Sequence, residues 1–343
     1  MFYVNGEPHI GHLYSALLAD ANHRWTLYKQ NASEAKDHQF VVGTDEHGIK
    51  VQTAAKNCGK SPKEHCDFYA ERFTQMFHEF DISFTKSVRT TDPVHEEAVK
   101  ELWNRIKSNG HIYKAKYEGW YSTIDERFYT DDEVEEKNVR GEVMKVAKES
   151  LSKVEWVDEE NYMFNLEKFK SQIHDWLTQE DPIAPASQLP HILQSLKVQK
   201  DLSVSRDSKR LQWGIRVPGD DGQTFYVWLD ALCSYLTATG FPNNRDWTNL
   251  WPADVHFIGK DIRTFHAIFW PAFLLAAGIE LPKKIYVHSH WLVDGRKMSK
   301  SVGNVVNPFL MKDLLTSDGL RYFLLKQSTQ HNDASRFIFW NFF

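Results

Sequence analysis

Cysteine is scarce in this sequence, which contains only Cys58, Cys66 and Cys233. Three scattered cysteines are too few for a disulfide framework, and no CxxC pair is present to bind zinc. This usage disfavours a disulfide-stapled secreted domain. It predicts a protein of a reducing compartment.

Long apolar runs and an excess of positive charge are missing as well. No run approaches the roughly 20 apolar residues that a membrane helix requires, so no membrane contact is expected. The 46 acidic and 41 basic residues leave a net charge of -5, which argues against indiscriminate binding to polyanions. No basic, apolar or arginine-rich presequence stands before Phe2, so no targeting segment is visible.

Length and apolar periodicity predict a two-lobed α/β protein. A chain of 343 residues exceeds the roughly 250 to 300 residues at which a single core stops growing. Short apolar runs at 2–4 and 40–42 flank an amphipathic stretch from about 9 to 28, the pattern of a parallel βαβ unit. The parallel pattern is predicted to return in the apolar runs 224–228, 255–258 and 285–288.

Helix starts can be predicted from capping residues. Ser61 and Glu64 form a capping box ahead of a helix, and Asp92 is expected to cap the next one. In the first helix, the residues expected to face the core include Leu13, Leu17 and Trp25.

A pair of histidines stands where the first strand meets its helix. In His9-Ile10-Gly11-His12 the imidazoles are three residues apart, so they share a helical face. Helix N-termini attract anions, and Gly11 would let a ligand approach the backbone closely. The pair could donate hydrogen bonds to phosphate oxygens, bind a metal, or be two surface histidines.

A second motif, Lys297-Met298-Ser299-Lys300-Ser301, lies in a loop bounded by glycines. Two lysines on a mobile loop can close on a polyphosphate and neutralise the charge that develops on leaving pyrophosphate. A lysine-serine loop by itself is usually solvated surface. The order of the two motifs and their places at strand ends indicate one nucleotide site.

With these motifs the sequence resembles the class I aminoacyl-tRNA synthetases, whose signatures are HIGH and KMSKS. Longer matching segments make it most similar to the methionyl-tRNA synthetases: Phe2 to His12, Gly43 to Gly48 (GTDEHG), Tyr226 to Ala231 (YVWLDA) and Phe257 to Ile262 (FIGKDI). The resemblance implies an α/β fold with a Rossmann-like doubly wound parallel sheet and an inserted connective lobe.

The resemblance also implies domain limits. Residues 1–110 and 201–295 are expected to form two halves of the catalytic domain, separated by a connective-peptide lobe at 111–200. Residues 296–343 are expected to hold the lysine loop and the start of a stem-contact region. The helical anticodon-binding domain of the family is not expected here, and the apolar tail 336–343 looks truncated or alternatively ended.

At matching positions the resemblance implies roles for single residues. Asp45 is expected to bind the amino group of methionine, and Gly259 and Asp261 to meet the ribose of ATP. Arg206 matches an active-site arginine, or is a surface charge. The triphosphate is expected to be held by His9, Gly11, His12, Lys297 and Lys300. The methionine side chain is expected in a pocket of Tyr3, Trp228, Ala231, Tyr235, Ile262 and His266, where rings suit a thioether but could also be ordinary core packing.

The implied function is that of a methionine-tRNA ligase, which forms methionyl-adenylate and pyrophosphate from methionine and ATP and then loads tRNA(Met). Catalysis would rest on positioning and charge stabilisation. The expected cofactor is ATP with Mg²⁺, the ion being carried by the nucleotide. The chain is expected to act as a monomer.

One departure from the family concerns zinc and location. Many members have cysteine pairs in the connective lobe, whereas Ser122 and Asp125 occupy the positions of the first pair here. The lobe is therefore expected to fold without structural zinc. Such a lobe is most similar to the mitochondrial form of animals, which implies the mitochondrial matrix, with the cytoplasm as the alternative.

Two other interpretations stay open. One is a different class I synthetase or a small HxGH nucleotidyltransferase, although chain length and the separate lysine loop disfavour the latter. The other is a catalytically weak or silent synthetase fragment that acts as a binding module. A response of pyrophosphate exchange to methionine would separate these interpretations.

Overall fold

A computed structural model describes residues 1–30, 38–122, 127–129, 131–139, 142–148, 150–293, 295–298, 303–327 and 333–334. The first elements are β1 (Phe2–Tyr3), α1 (Ile10–Lys29), β2 (Val41–Asp45), α2 (Ile49–Asn57), α3 (Pro62–Glu79), β3 (Lys86–Arg89) and α4 (Pro93–Ser108). Strands follow in β4 (Ile112–Ser122), β5 (Arg127–Tyr129), β6 (Val134–Val139), β7 (Glu142–Ala147) and β8 (Glu155–Phe164).

The second half of the chain again mixes both kinds of element. It begins with α5 (Lys170–Gln179), β9 (Ile183–Ala184), α6 (Leu189–Val198), β10 (Leu202–Ser203), β11 (Ser205–Asp207), β12 (Arg216–Val217), β13 (Asp220–Phe225) and α7 (Val227–Thr239). It ends with β14 (His256–Gly259), a π-helix (Phe265–Phe269), α8 (Trp270–Ala276), β15 (Ile285–His288), β16 (Leu292–Val293), β17 (Arg296–Lys297) and α9 (Pro308–Gln327).

Parallel strands with crossover helices form the frame of the molecule. β1, β2 and β3 pair in parallel in that order, and β14, β15 and β9 form a second parallel set. Because α1 connects β1 to β2, the predicted βαβ unit is present. The arrangement confirms the Rossmann-like α/β class predicted from the sequence.

Two large apolar clusters make up most of the core. One joins α1 to α3 through residues such as Leu13 and Phe73. The other joins α7 to α8 through residues such as Leu229 and Phe273. Members of both clusters border one large cleft.

The segment 224–228 differs from its predicted parallel strand. β13 ends at Phe225 and pairs antiparallel with β11 and β12, and Val227 already begins α7. The apolar run is shared between a buried strand end and a buried helix start. Periodicity cannot separate these two structures in so short a run.

The predicted lobe at 111–200 contains two kinds of structure. β10, β8, β4 and β5 form an antiparallel sheet in that order. β9, however, pairs in parallel with β15, and Ile173 of α5 and Ile192 of α6 belong to the same cluster as α7 and α8. The end of the predicted lobe therefore lies with the parallel frame, because its apolar residues are buried there.

Helix ends match the capping predictions in part. Ser61 and Glu64 form the predicted capping box. Asp92 makes no side-chain cap, so that prediction is wrong; its carboxylate accepts the backbone N–H of Arg89 at 3.2 Å instead. Trp25 is 54% exposed, which contradicts its predicted burial, since the buried positions of α1 end at Asp20. Among the described residues, no helix is long and apolar enough to cross a membrane.

Candidate active site

A cleft of about 2420 Å³ opens at the carboxyl ends of the parallel strands, which is where α/β folds bind ligands. Every predicted site residue whose side chain the structure describes, and both predicted glycines, line this one cleft: Tyr3, His9, Gly11, His12, Asp45, Arg206, Trp228, Ala231, Tyr235, Gly259, Asp261, Ile262 and His266. Lys297 is described by its backbone alone, in β17, and Lys300 lies outside the described residues.

The two histidines cap α1 with their own rings. The N–H of Gly11 donates to Nδ1 of His9, and the N–H of His9 donates to Nδ1 of His12, both at 3.1 Å. An Nδ1 that accepts a backbone N–H holds no proton, so each neutral ring carries its proton on Nε2. The rings stack with centroids 3.7 Å apart. The pair thus presents two Nε2 donors at a helix N-terminus, an arrangement that suits phosphate oxygens.

Met298 of the lysine motif packs at the same helix start. A Cβ on Gly11 would lie 2.9 Å from Cε1 of His9 and 3.3 Å from Cε of Met298, so glycine lets both side chains pack there. Beyond the loop, Val306 accepts a hydrogen bond from the N–H of Ile10 at 3.0 Å. The two distant motifs therefore meet at one place, as the sequence predicts for a single nucleotide site.

Aromatic rings form one wall of the cleft. Trp228 stacks on Phe265 with centroids 3.4 Å apart. The hydroxyl of Tyr235 donates to Nε2 of His266 at 2.8 Å, because the opposite nitrogen of that ring donates to the carbonyl of Ile262 at 3.0 Å. Burial lowers the pKa of His266 to about 4, so the ring is neutral near pH 7. The pocket is thus apolar, with one oriented hydroxyl–imidazole pair.

Phe265 is a site residue that the sequence analysis misses. It opens the π-helix, which ends just before Trp270 and Pro271. Pro271 has no N–H to donate to the carbonyl of Ala267, so the regular i to i−4 ladder is interrupted there. Phe265, His266 and Phe269 all line the cleft, and together with Ile262 they have the spacing of one helical face.

Asp45 stands at the end of β2 in a loop that is held on two sides. The buried carboxylate of Glu46 accepts two hydrogen bonds from Arg89, at 2.7 and 2.8 Å. Nδ1 of His47 lies 2.7 Å from a carboxylate oxygen of Asp230 in α7. Because both following residues are fixed, the loop presents Asp45 at a constant position on the cleft wall. A carboxylate there suits an ammonium group.

Arg206 is 2% exposed, so its alternative interpretation as a surface charge is wrong. Its guanidinium lies 3.8 Å from the ring centroid of Tyr226. It donates to Oγ of Ser203 at 2.6 Å and to the carbonyl of Ser205 at 2.7 Å. These contacts hold a positive charge against the cleft.

Another part of the cleft is built around Gly259. A Cβ there would lie 2.6 Å from Oδ1 of Asp261, so a larger residue would displace that carboxylate. Nε2 of His290 lies 3.0 Å from the same oxygen. His288 contacts Oγ of Ser15 in α1 at 2.7 Å, and burial lowers its pKa to about 4. Sequence reasoning misses both histidines, although a histidine that ends the apolar run 285–288 is a signal for the first.

The described residues include no group of three or more His, Cys, Asp or Glu side chains that could hold a metal ion. In the predicted connective lobe, Ser122 is buried and donates to Oγ of Ser152 at 2.8 Å. Asp125 lies outside the described residues. At the position of the first cysteine the chain thus offers a hydroxyl that is already hydrogen-bonded, whereas structural zinc sites use thiolates or imidazoles.

The parallel frame, the paired imidazoles at its first strand-to-helix turn and the lysine loop beside them define a class I aminoacyl-tRNA synthetase catalytic core. Within that class the chain belongs to the methionine family, because the family described as tRNA synthetases class I (M) matches residues 1–342.

Curated relatives carry the name methionine–tRNA ligase, mitochondrial. The protein of Takifugu rubripes is 52% identical over 338 residues and covers 97% of this chain and 56% of the relative. The protein of Homo sapiens is 49% identical over 337 residues, with the same coverage of 97% and 56%. The chain therefore spans a little over half the length of these relatives.

A solved structure is similar over nearly the whole chain. The crystal structure of Mycobacterium tuberculosis methionyl-tRNA synthetase bound by methionyl-adenylate matches with a TM-score of 0.89 and 40% identity. The match covers 98% of this chain and 65% of that one.

Proposed function

We propose that this chain activates L-methionine with ATP, forming methionyl-adenylate and pyrophosphate, as the first half of a methionine-tRNA ligase reaction. One observation carries the proposal: the paired histidines, the lysine loop, Asp45 and the aromatic pocket border a single cleft. The similar structure from Mycobacterium tuberculosis is a complex with methionyl-adenylate, which supports the same ligand here.

The proposed mechanism assigns each part of the cleft one task. Asp45 binds the ammonium group of methionine, and the wall formed by Trp228, Tyr235 and His266 receives the thioether side chain. Gly259 and Asp261 meet the ribose, with glycine permitting close approach. The remaining pocket residues are Tyr3, Ala231 and Ile262, and Arg206 supplies a positive charge beside them.

The triphosphate of ATP lies, in this proposal, between the paired histidines and the lysine motif. The Nε2 donors of His9 and His12 and the ammonium groups of Lys297 and Lys300 hold the triphosphate, while Gly11 leaves room at the backbone. A methionine carboxylate oxygen attacks the α-phosphorus and pyrophosphate leaves. These groups stabilise the charge that moves onto pyrophosphate, and no side chain becomes covalently attached. Mg²⁺ bound to the nucleotide supplies further neutralisation of the phosphates.

In the second step the terminal ribose hydroxyl of tRNA(Met) attacks the adenylate carbonyl and releases AMP. The proposed place of action is the mitochondrial matrix, supported by the names of the relatives. The chain is proposed to act as a monomer. Its connective lobe is proposed to fold without structural zinc, supported by the pairing of Ser122 with Ser152.

Amino-acid-dependent exchange of pyrophosphate with ATP tests the proposal. Methionine should drive exchange in the native chain, and His12→Ala should lower kcat by about 10²- to 10³-fold because one oriented donor is lost. Exchange driven by another amino acid would assign a different class I synthetase. Absence of exchange, together with no thermal stabilisation by methionine and ATP, would assign a silent fragment.

A further inference from the structure

A buried polar cluster lies behind the cleft without lining it. Asp230 is 0% exposed; its Oδ2 lies 2.7 Å from Nδ1 of His47 and its Oδ1 lies 2.8 Å from Nε2 of His95. The other nitrogen of His95 lies 2.8 Å from Oγ1 of Thr237. None of these four residues borders the cleft, so the proposed chemistry does not use them directly.

The cluster joins elements that carry opposite walls of the proposed methionine site. His47 lies two residues after Asp45 in the loop beyond β2. Asp230 lies in α7, two residues after Trp228. His95 reaches the same carboxylate from the first turn of α4. The cluster therefore links the ammonium end of the site to its side-chain end.

This link resists deformation because a buried carboxylate is costly unless donors satisfy it. Burial by itself would raise the pKa of Asp230, but His47 and His95 outweigh burial and lower it to about 2. Burial would lower the pKa of His47, but Asp230, helped by Glu46 and Glu96, raises it. Moving α7 away from the loop would leave a charged oxygen without its donor.

The loop that follows Asp45 is also held by the ion pair between Glu46 and Arg89, which acts in a different direction. Glu46 is bound by Arg89, the last residue of β3, which is the neighbour of β2 in the same sheet. That pair holds the loop within its own sheet. The cluster around Asp230 holds the loop relative to α7, so it governs the distance across the pocket.

We propose that Asp230, held between His47 and His95, is a positioning residue that sets the distance between Asp45 and the Trp228 wall and so selects the length of the amino-acid side chain. This inference rests on the proposed function. Asp230→Asn tests it, because an asparagine offers one acceptor oxygen where two ring donors now bind. Both histidines then lose their anionic partner, and one of them keeps a hydrogen bond only by switching tautomer to accept from the amide N–H. The two walls are therefore no longer held at a constant distance.

The assay is pyrophosphate exchange with methionine, with ethionine, which is one methylene longer, and with norvaline, which is shorter. One methylene is worth roughly 10- to 200-fold in kcat/KM in a shaped pocket. Asp230→Asn should reduce the preference for methionine over ethionine about tenfold and raise KM for methionine about tenfold. KM for ATP should stay within about twofold, because the phosphate and ribose ends do not depend on α7.

Cys233→Ala is the matched control, since Cys233 is fully buried in the same helix and does not border the cleft. Cys233→Ala should lower the melting temperature and leave the preference for methionine over ethionine unchanged. If Asp230→Asn does not fold, Thr237→Val replaces it; it releases one nitrogen of His95 and should reduce the preference by about two- to threefold.

The outcomes separate this inference from the function on which it rests. No methionine-dependent exchange by the native chain overturns both. If the native chain catalyses exchange but Asp230→Asn lowers kcat/KM for methionine, ethionine and ATP by the same factor, the inference is overturned. The proposed function then stays intact. An unchanged preference in Thr237→Val, with Asp230→Asn unfolded, also overturns it.

Discussion

Replacing Gly11 by alanine should damage activity while leaving stability nearly unchanged. Alanine in place of glycine normally stabilises a helix by roughly 0.5–1 kcal/mol. Here the new Cβ would stand 2.9 Å from Cε1 and 3.0 Å from Nδ1 of His9, so the ring must move. Because that Nδ1 accepts the N–H of Gly11, the movement removes a cap worth roughly 0.5–2 kcal/mol. The two effects offset, and the free energy of unfolding should change by about 1 kcal/mol or less.

Catalysis should respond more strongly than stability. A shift of the His9 ring by a few tenths of an ångström also disturbs its stack with His12 and the packing of Met298. Misplacement of this order lowers rates by up to about 10²-fold, so kcat for exchange should fall 10- to 100-fold, roughly. KM for methionine should change little, since the aromatic wall is untouched.

Gly319 provides a matched control because its N–H also donates to a nearby side chain, Oγ1 of Thr316 at 3.3 Å. A Cβ there would meet that oxygen at 3.4 Å, a tolerable contact. Gly319→Ala should therefore stabilise the chain by up to about 1 kcal/mol with full activity. Urea unfolding and exchange kinetics check both variants. Full kcat in Gly11→Ala would refute the view that the ring geometry of His9 matters.

Further expectations concern the pocket, the buried arginine and pH. Tyr235→Phe removes the hydroxyl that donates to His266 and should raise KM for methionine about tenfold in exchange assays, with KM for ATP unchanged; an unaltered KM for methionine would contradict the pocket. Arg206→Lys keeps the charge but loses the planar stack and should lower the free energy of unfolding by about 2 kcal/mol in urea; no loss would contradict its buried role. The pKa of Asp230 is lowered from 3.8 to about 2, so it adds about 2 kcal/mol above pH 3.8, which is lost as the pH falls towards 2. The raised pKa of His47 adds stability that is complete below pH 6.5 and is lost as the pH rises through its folded value. The stability difference between the native chain and Asp230→Asn should therefore peak between about pH 4 and 6.5, and a difference independent of pH would refute the pairing.

The sequence predicts a set of residues around one cleft because most of them belong to short contiguous motifs, and their roles stay predictions. Residue type limits the chemistry there: paired imidazoles and lysines for phosphate, a carboxylate for an ammonium group, and rings for a thioether. All fully described members of the predicted set border one cleft. The burial of Arg206 also removes an alternative that the sequence leaves open.

Local prediction fails where tertiary contacts compete with propensity. Asp92 is a good capping residue by type, but its carboxylate bonds the backbone of Arg89 instead. Trp25 has the period of a buried residue, yet α1 extends past its buried face. Phe265 lines the cleft stacked on Trp228, but it lies just beyond the matching segment 257–262 and is therefore not among the predicted site residues.

The sequence alone determined the family, the parallel α/β frame and which residue types line the cleft, because these depend on contiguous motifs and apolar periodicity. Only the tertiary structure decided how those residues are held. The partners of Asp230 lie 183 and 135 positions away in the chain, and the ring nitrogens of His9 and His12 accept hydrogen bonds that no motif displays. Buried polar groups choose partners by distance and orientation in the fold, and neither quantity can be obtained from spacing along the chain.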